Sequence, residues 1–302
     1  MVTVLASTPR PPLTRISRSL AGPVRNGLRT VAESRPAVQL VFALRALAGS
    51  DLIRHPSVER AETVTGWLLV TVAIYVFNGV ADRIEDAANH SARPIASGAL
   101  TRRAALTWCI GLSVVGLSLC GAAGAPDFVL AIAMLVLGWA YSVGPALKNA
   151  PAGFAAVIGL GAGLTYVAGW AARGRFSQRE AAFVAALALW VALCCAAKDF
   201  SDLDGDRLAG RRTWPVLLGA RSAARLLALL AMCGAAVVVV TSQLAGLTPL
   251  PAIVISTGSV VLGASAIRHA DSPDRQERRR PYRVFMITQY ITNGALIVLL
   301  GA

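Results

Sequence analysis

The chain has 302 residues, 55% of them hydrophobic and only 15% charged. Soluble domains carry about a quarter charged residues, so the composition excludes an ordinary soluble globular protein and implies a polytopic membrane protein. The formal net charge of +13 could suit a nucleic-acid binder, but the basic residues lie between apolar runs, where membrane topology accounts for them and no nucleic-acid partner is needed.

Residues 1–34 are rich in Arg, Ser, Pro and Thr without sustained apolar periodicity, and are expected to be a disordered basic cytoplasmic tail. From there the apolar runs predict nine spans, near 36–53, 63–81, 103–123, 127–146, 152–172, 180–198, 219–241, 249–267 and 284–301. The first is short and carries Arg45 in its middle, where a charge is expensive and usually faces a polar partner or a cavity. The fifth carries Gly159, Gly161, Gly163 and Gly169, small residues that let membrane helices approach closely. The last holds Gln289 and Asn293 one turn apart, expected to bind helices together. Cys109, Cys120, Cys194, Cys195 and Cys233 all fall inside apolar runs, as helix-packing residues with no disulfide framework. His55, His90 and His269 are too scattered for a zinc site.

With the amino terminus in the cytoplasm, about 23 Lys and Arg fall on that side and about 5 outside. The same orientation brings two acidic stretches to one membrane face. Asn78, Asp82 and Asp86 recur at i, i+4 and i+8 as one apolar run ends, and Asp199, Asp202 and Asp206 at i, i+3 and i+7 as another ends. Each set shares one helical face. Crowded carboxylates call for a counter-charge, and an all-oxygen set suits Mg2+, which binds one or two carboxylates together with phosphate oxygens. Either stretch alone also reads as a solvated helix end; two with matched spacing and position read better as a cradle for a diphosphate. Lys148 and Lys198, the two lysines of the chain, sit beside these stretches and suit diphosphate oxygens, although positive-inside anchoring explains each equally well. Asp204 falls off the helical face and reads as a solvent-exposed loop carboxylate.

These stretches resemble a known family. Asn78-xxx-Asp82-xxx-Asp86 followed by Arg93-Pro94, Tyr141-Ser142 with Pro145 and Lys148, and Lys198-Asp199 with Asp202-Leu-Asp-Gly-Asp206 are similar, in order, to the signatures of the UbiA superfamily of intramembrane prenyltransferases. The resemblance covers approximately residues 35–302 and is strongest to the branch with chlorophyll synthases, homogentisate prenyltransferases and archaeal lipid prenyltransferases. It departs at Gly79, where most members carry Asp or Gln. Geometry and resemblance together assign metal binding to Asn78, Asp82, Asp86, Asp202 and Asp206. The resemblance implies diphosphate contacts from Lys148, Lys198 and Arg93, catalytic roles for Asp199 and Tyr141, and an acceptor-binding role for Arg45. Tyr141 reads equally as an interfacial aromatic, and Arg45 as the partner of a helix carboxylate.

The expected fold is an all-α bundle of nine transmembrane helices around a central cavity, formed by residues 35–302, with segments 87–102 and 207–218 as a cytoplasmic cap. The expected activity is Mg2+-dependent transfer of a prenyl group from an isoprenyl diphosphate to a small aromatic acceptor within the bilayer. A terpene cyclase of the same superfamily would ionise the same diphosphate without an acceptor. A transporter would place its carboxylates near the midplane rather than at helix ends.

Overall fold

The structure, a computed structural model, describes residues 13–174 and 177–299. Among them every regular element is helical. In chain order these are α1 (Leu13–Glu33), α2 (Pro36–Ser50), α3 (Val58–Ala81), α4 (Arg83–Ala88), α5 (Arg102–Ala123), α6 (Ala125–Ser142), α7 (Pro151–Arg173), α8 (Gln178–Cys194), α9 (Asp199–Leu208), α10 (Trp214–Leu218), α11 (Ala220–Leu244), α12 (Leu250–His269), α13 (Arg275–Arg278) and α14 (Arg280–Leu299). Short 3-10 turns, Leu147–Asn149 and Cys195–Lys198, lead into α7 and α9.

Local sequence sets several of these ends. Ser57 accepts from Arg60 N to start α3, Thr101 accepts from Ala104 N to start α5, and Ser177 with Glu180 forms a reciprocal capping box on α8. Pro36 and Pro151 open α2 and α7, where a missing N–H costs nothing.

Seven stretches are long and apolar enough to cross a membrane: α3, α5, α6, α7, Gln178–Leu208, α11 and α12. Their outward faces expose large apolar side chains such as Ile110, Val114, Val136, Leu160, Leu229 and Val260, as lipid contact requires. The first and last expected spans are present as helices but are not among the seven. With 15 residues, α2 reaches about 22 Å, short of the roughly 30 Å hydrocarbon core. The last, α14, opens with Arg280 and Arg283.

The amino-terminal expectation needs correction. The chain is helical from Leu13, and the last turn of α1 is not a free tail, because Thr30, Glu33 and Ser34 are buried. Residues 1–12 lie outside the described residues.

Small residues allow the tightest helix contacts. Gly66 of α3 faces Gly116 and Cys120 of α5, and Gly49 of α2 faces Gly169 of α7, so closely that a β-carbon at any of the four glycines would meet backbone atoms. Buried polar side chains find partners across the bundle. Thr63 donates to Asp127 at 3.1 Å, Trp67 to Thr165 at 3.2 Å and Trp190 to Ser259 at 2.8 Å. The largest apolar core lies between α7, α8, α11, α12 and α14. A second, around Trp67, Val70 and Met134, packs α3 and α6 against α2 and α7. A cavity remains between the two.

Candidate active site

The two acidic stretches meet. Asp82 caps the end of α3, and the backbone bonds Asp82 N to Asn78 O and Asp86 N to Asp82 O, both 2.8 Å, carry the helical turn on into α4. Across from them, α9 brings Asp199, Asp202 and Asp206. Asn89 Oδ1 accepts from Gly205 N at 2.8 Å, binding the two acidic segments directly. Arg211 joins them by charge. Its guanidinium lies 3.1 Å from Asp82, bonds Glu85 and lies 3.5 Å from Asp206. Gly210, at φ 67°, ends the helical path so that Arg211 turns back, its N–H bonding Asp206 O at 2.9 Å.

Each carboxylate of the expected metal set has a cationic neighbour. Lys148 bonds Asp82 and approaches Glu85 at 3.9 Å. Lys198 pairs with Asp202 at 2.8 Å, and Arg275 reaches Asp202 from the other side at 3.3 Å. Asp86 is gripped by Arg93 at 2.6 Å and Arg35 at 3.5 Å. Asn78 donates to Asp82 at 3.0 Å and to Ser142 at 3.4 Å. Burial alone would raise the Asp82 carboxyl, but Arg211 and Lys148 outweigh it and hold it at about 2. Burial and the neighbouring Asp82 push Glu85 up to about 7. One acidic side chain of the pair is therefore firmly ionised at neutral pH and the other is poised.

Below this charged mouth lies a cavity of about 120 Å³. Arg35, Asn78, Tyr141 and Lys198 line its charged end, and its walls are apolar and aromatic, with Phe42, Tyr75, Phe154 and Phe285 among them. Arg45 and Gln289 also line it. Ten residues of α2 separate Arg35 from Arg45, about 15 Å of helix. Arg45 is buried, bonds Gln289 Oε1 and lies 6.0 Å from the centre of the Phe42 ring. Among the described residues no carboxylate pairs with it, so the expected alternative of a helix carboxylate partner is not what the structure shows. Tyr166 bonds Asn293, which donates to Gln289 O at 2.7 Å. These four residues form a polar layer. Beyond it, α2, α7, α8 and α14 line a second pocket of about 50 Å³, with Ala48, Tyr166, Val184 and Leu296 in its walls.

The donor set fits a hard cation. It is made of oxygens, and Asp206 Oδ2 is buried without a hydrogen-bond partner, an acceptor left open for a positive ligand. Among the described residues no three acidic, His or Cys side chains are grouped closely enough to hold an ion. The same carboxylates are divided among Lys148, Lys198, Arg35, Arg93, Arg211 and Arg275 instead.

A model of the UbiA prenyltransferase family matches residues 40–289. The chain belongs to the UbiA prenyltransferase family. It is 29% identical over 237 residues to the digeranylgeranylglyceryl phosphate synthase of Korarchaeum cryptofilum, covering 78% of this chain and 79% of that one. To the enzyme of the same name from Halobacterium salinarum it is 33% identical over 175 residues, 58% of this chain and 62% of the relative. In fold it is similar to a UbiA homologue from Archaeoglobus fulgidus solved with GPP and Mg2+, with a TM-score of 0.65, 18% identity, and 89% of this chain and 99% of that one covered. The protein is thus a prenyltransferase and an integral, multi-pass membrane protein.

In this UbiA member the signature residues converge unequally. Asn78, Tyr141, Lys198 and Arg45 line the cavity. Asp82, Asp206 and Lys148 are buried at its mouth, and Asp199 is buried at the start of α9 without lining the cavity. The Asp204 side chain is 65% exposed, as its off-face position implied, but it lies within α9 rather than in a loop and pairs with Arg278. Arg93 does not reach the cavity. Its guanidinium is taken up by Asp86, by Glu33 at 2.7 Å, and by the carbonyls of Glu33 and Tyr75, so that it braces Asp86. Sequence reasoning missed Glu33, Arg35, Glu85 and Arg211. Arg211 had one local signal, its place directly after Gly210, just past the second acidic stretch. Gly79, where the resemblance expects a polar side chain, is filled from outside by the Glu33 carboxylate.

Proposed function

We propose that the protein transfers a prenyl group from an isoprenyl diphosphate, with Mg2+, to a small anionic acceptor inside the bundle. The observation that carries this reading is the junction of both acidic stretches, through Arg211, at the mouth of an apolar cavity. An allylic diphosphate has the complementary shape, a charged head and an apolar tail. Asn78, Asp82, Asp86, Asp202 and Asp206 would hold Mg2+, which supplies Lewis-acid stabilisation of the leaving diphosphate. Arg35 and Lys198, which line the cavity, and Lys148 and Arg211, buried beside the acidic stretches, now neutralise the carboxylates and would turn to diphosphate oxygens.

The remaining steps belong to the cavity walls. Phe42, Tyr75, Tyr141, Phe154 and Phe285 present aromatic surface to a developing allylic cation, and the apolar lining keeps water from it. Asp199, buried beside the second cluster, is the candidate to assist at the head. Arg45 is a buried cation facing the cavity, bonded to the neutral Gln289 amide and Tyr166 hydroxyl and, among the described residues, paired with no carboxylate, which favours an anionic acceptor over internal cyclisation. The aromatic lining suits an aromatic acid. The relatives' names point to a glyceryl phosphate, and both chemistries offer Arg45 an anion. Given nine spans, the positive-inside count favours the amino terminus, both acidic stretches and the cap segments on the cytoplasmic side.

Purified protein incubated with labelled geranyl, farnesyl or geranylgeranyl diphosphate and Mg2+ tests the reading. Aromatic acids, glyceryl phosphates or no acceptor are supplied in parallel, and products are read by mass spectrometry. A prenylated acceptor is expected. A cyclic hydrocarbon formed equally well without acceptor would replace this reading with the cyclase, and no diphosphate consumption would end both. Single cysteines placed in 87–102 and 207–218 are expected to react with impermeant thiol reagents from the cytoplasmic side alone. Labelling from opposite sides would overturn the orientation.

A further inference from the structure

Glu33 is the last residue of α1, and its side chain is fully buried. A lone carboxylate in such a place is costly, yet this one is paired. Its Oε1 lies 2.7 Å from Arg93 Nε, an ion pair without a formal hydrogen bond, and its Oε2 accepts from Ile95 N at 2.8 Å. Space for it comes from α3. A β-carbon at Gly79 would collide with Glu33 Oε1 and with Arg93 Nη2, so the absence of a side chain at 79, between Asn78 and Asp82, admits the carboxylate. From Arg93 the brace runs on to Asp86 Oδ2 at 2.6 Å. The other oxygen of Asp86 faces Arg35, which follows Glu33 by two residues and has a left-handed backbone, φ 58° and ψ 74°. A non-glycine residue in that region is uncommon and is kept only where its surroundings fix it. Both oxygens of Asp86 are thus oriented by arginines, and the α1–α2 junction either supplies or braces each one.

The geometry points to Glu33 as a positioning residue of the active site: through Arg93 it sets the orientation of Asp86, so that α1 completes the first acidic cluster. The inference rests on the reading of that cluster as a Mg2+–diphosphate site. Glu33 touches no substrate. It supplies, from another helix, the negative charge that position 79 lacks.

The test uses the full-length protein in detergent, with geranyl diphosphate as the probe and no acceptor. Binding of Mn2+ in place of Mg2+ is followed by electron paramagnetic resonance, and melting temperature is measured on the same samples. Glu33→Gln preserves shape and the bond to Ile95 N but removes the charge, and is expected to weaken Mn2+ binding about tenfold with a minor change in melting temperature. Glu33→Ala is expected to weaken it at least as much. Gly79→Asp alone sets a second carboxylate against Glu33 and is expected to impair binding. The double variant Glu33→Ala/Gly79→Asp returns one carboxylate to the same space and is expected to recover binding to within about threefold of the native protein, a non-additivity that packing alone would not produce. Native binding by Glu33→Gln, or a double variant no better than Glu33→Ala, overturns the inference. Asp82→Ala separates the two levels. If it loses Mn2+ binding while Glu33→Gln does not, only the role of Glu33 fails; if Asp82→Ala also binds as the native protein does, the reading of the cluster fails with it.

Discussion

The two ends of the central cavity solve the problem of buried charge in opposite ways. At the mouth, carboxylates and cations are both plentiful and closely interleaved: Asp82 with Lys148 and Arg211, Asp202 with Lys198 and Arg275. Toward the polar layer the cation among the described residues is Arg45, held by the neutral Gln289 and Tyr166 and by the ring of Phe42. The first arrangement can exchange internal cations for a metal and a diphosphate without stranding charge. The second holds a positive group among neutral partners, where the charge of the proposed acceptor would be met. On the proposed reading, one end takes a metal with its diphosphate and the other a single anion.

Disabling the mouth should have the largest effect. Asp82→Ala or Asp202→Ala is expected to lower turnover by about three orders of magnitude, the scale of losing electrostatic stabilisation at a reacting centre. Asp204→Ala, at an exposed residue, is the matched control and should be mild. Substantial activity of either first variant in excess Mg2+ would show that the two clusters do not act together.

At the other end, Arg45→Ala is expected to weaken acceptor affinity by about one to two orders of magnitude, as for loss of a charge-assisted hydrogen bond, with donor affinity unchanged. Arg45→Lys should recover little, since it lacks the planar fork. A stable Arg45→Ala enzyme with native acceptor affinity would erase the distinction between the two ends.

Arg211 tests whether internal cations and metal substitute for one another. Replacing it with Met leaves buried carboxylates facing one another, which is expected to lower the melting temperature clearly in chelator and less so in Mg2+ with geranyl diphosphate. An equal loss under both conditions would mean that the metal does not take over its charge.

The smallest effect concerns Glu85, whose carboxyl is raised in the fold from 4.5 to about 7. The folded protein then holds a proton that the unfolded chain releases. Its contribution to stability is complete below about pH 4.5 and is lost as pH rises through about 7. The melting temperature of metal-free protein should fall across that window, and Glu85→Gln should flatten the fall. A slope unchanged by the substitution would assign the pH dependence to other groups.

How much of this was legible depended on the range of the interaction. The spacing of Asp82 and Asp202 at the ends of apolar runs is a local pattern, and it led directly to the mouth. Arg45 stood out because an arginine inside a span is costly. The partners that complete the site left no such trace. Glu33 meets Arg93 across 60 residues and Arg211 meets Glu85 across 126, so neither position forms a periodic or motif-like signal. The amino-terminal helix was hidden by its own composition, since Arg, Ser and Pro read as disorder. Its apolar stripe of Val24, Leu28 and Val31 follows the helical spacing but remains exposed, and so does not announce a core. For α2 the extent of the apolar run was misleading, because Ser50 ends the helix and Asp51 turns left-handed, at φ 57°.

The counter-charges of the first acidic cluster also define an order of assembly. As the chain is made, Arg35 precedes Asp86 and Arg93 follows it by seven residues, so that carboxylate can be covered almost at once. Asp82 waits 66 residues for Lys148, and Glu85 waits 126 for Arg211. The inner part of the mouth therefore has its full set of counter-charges only once Lys148 and Arg211 have been made, and Asp202 waits longer still, for Arg275.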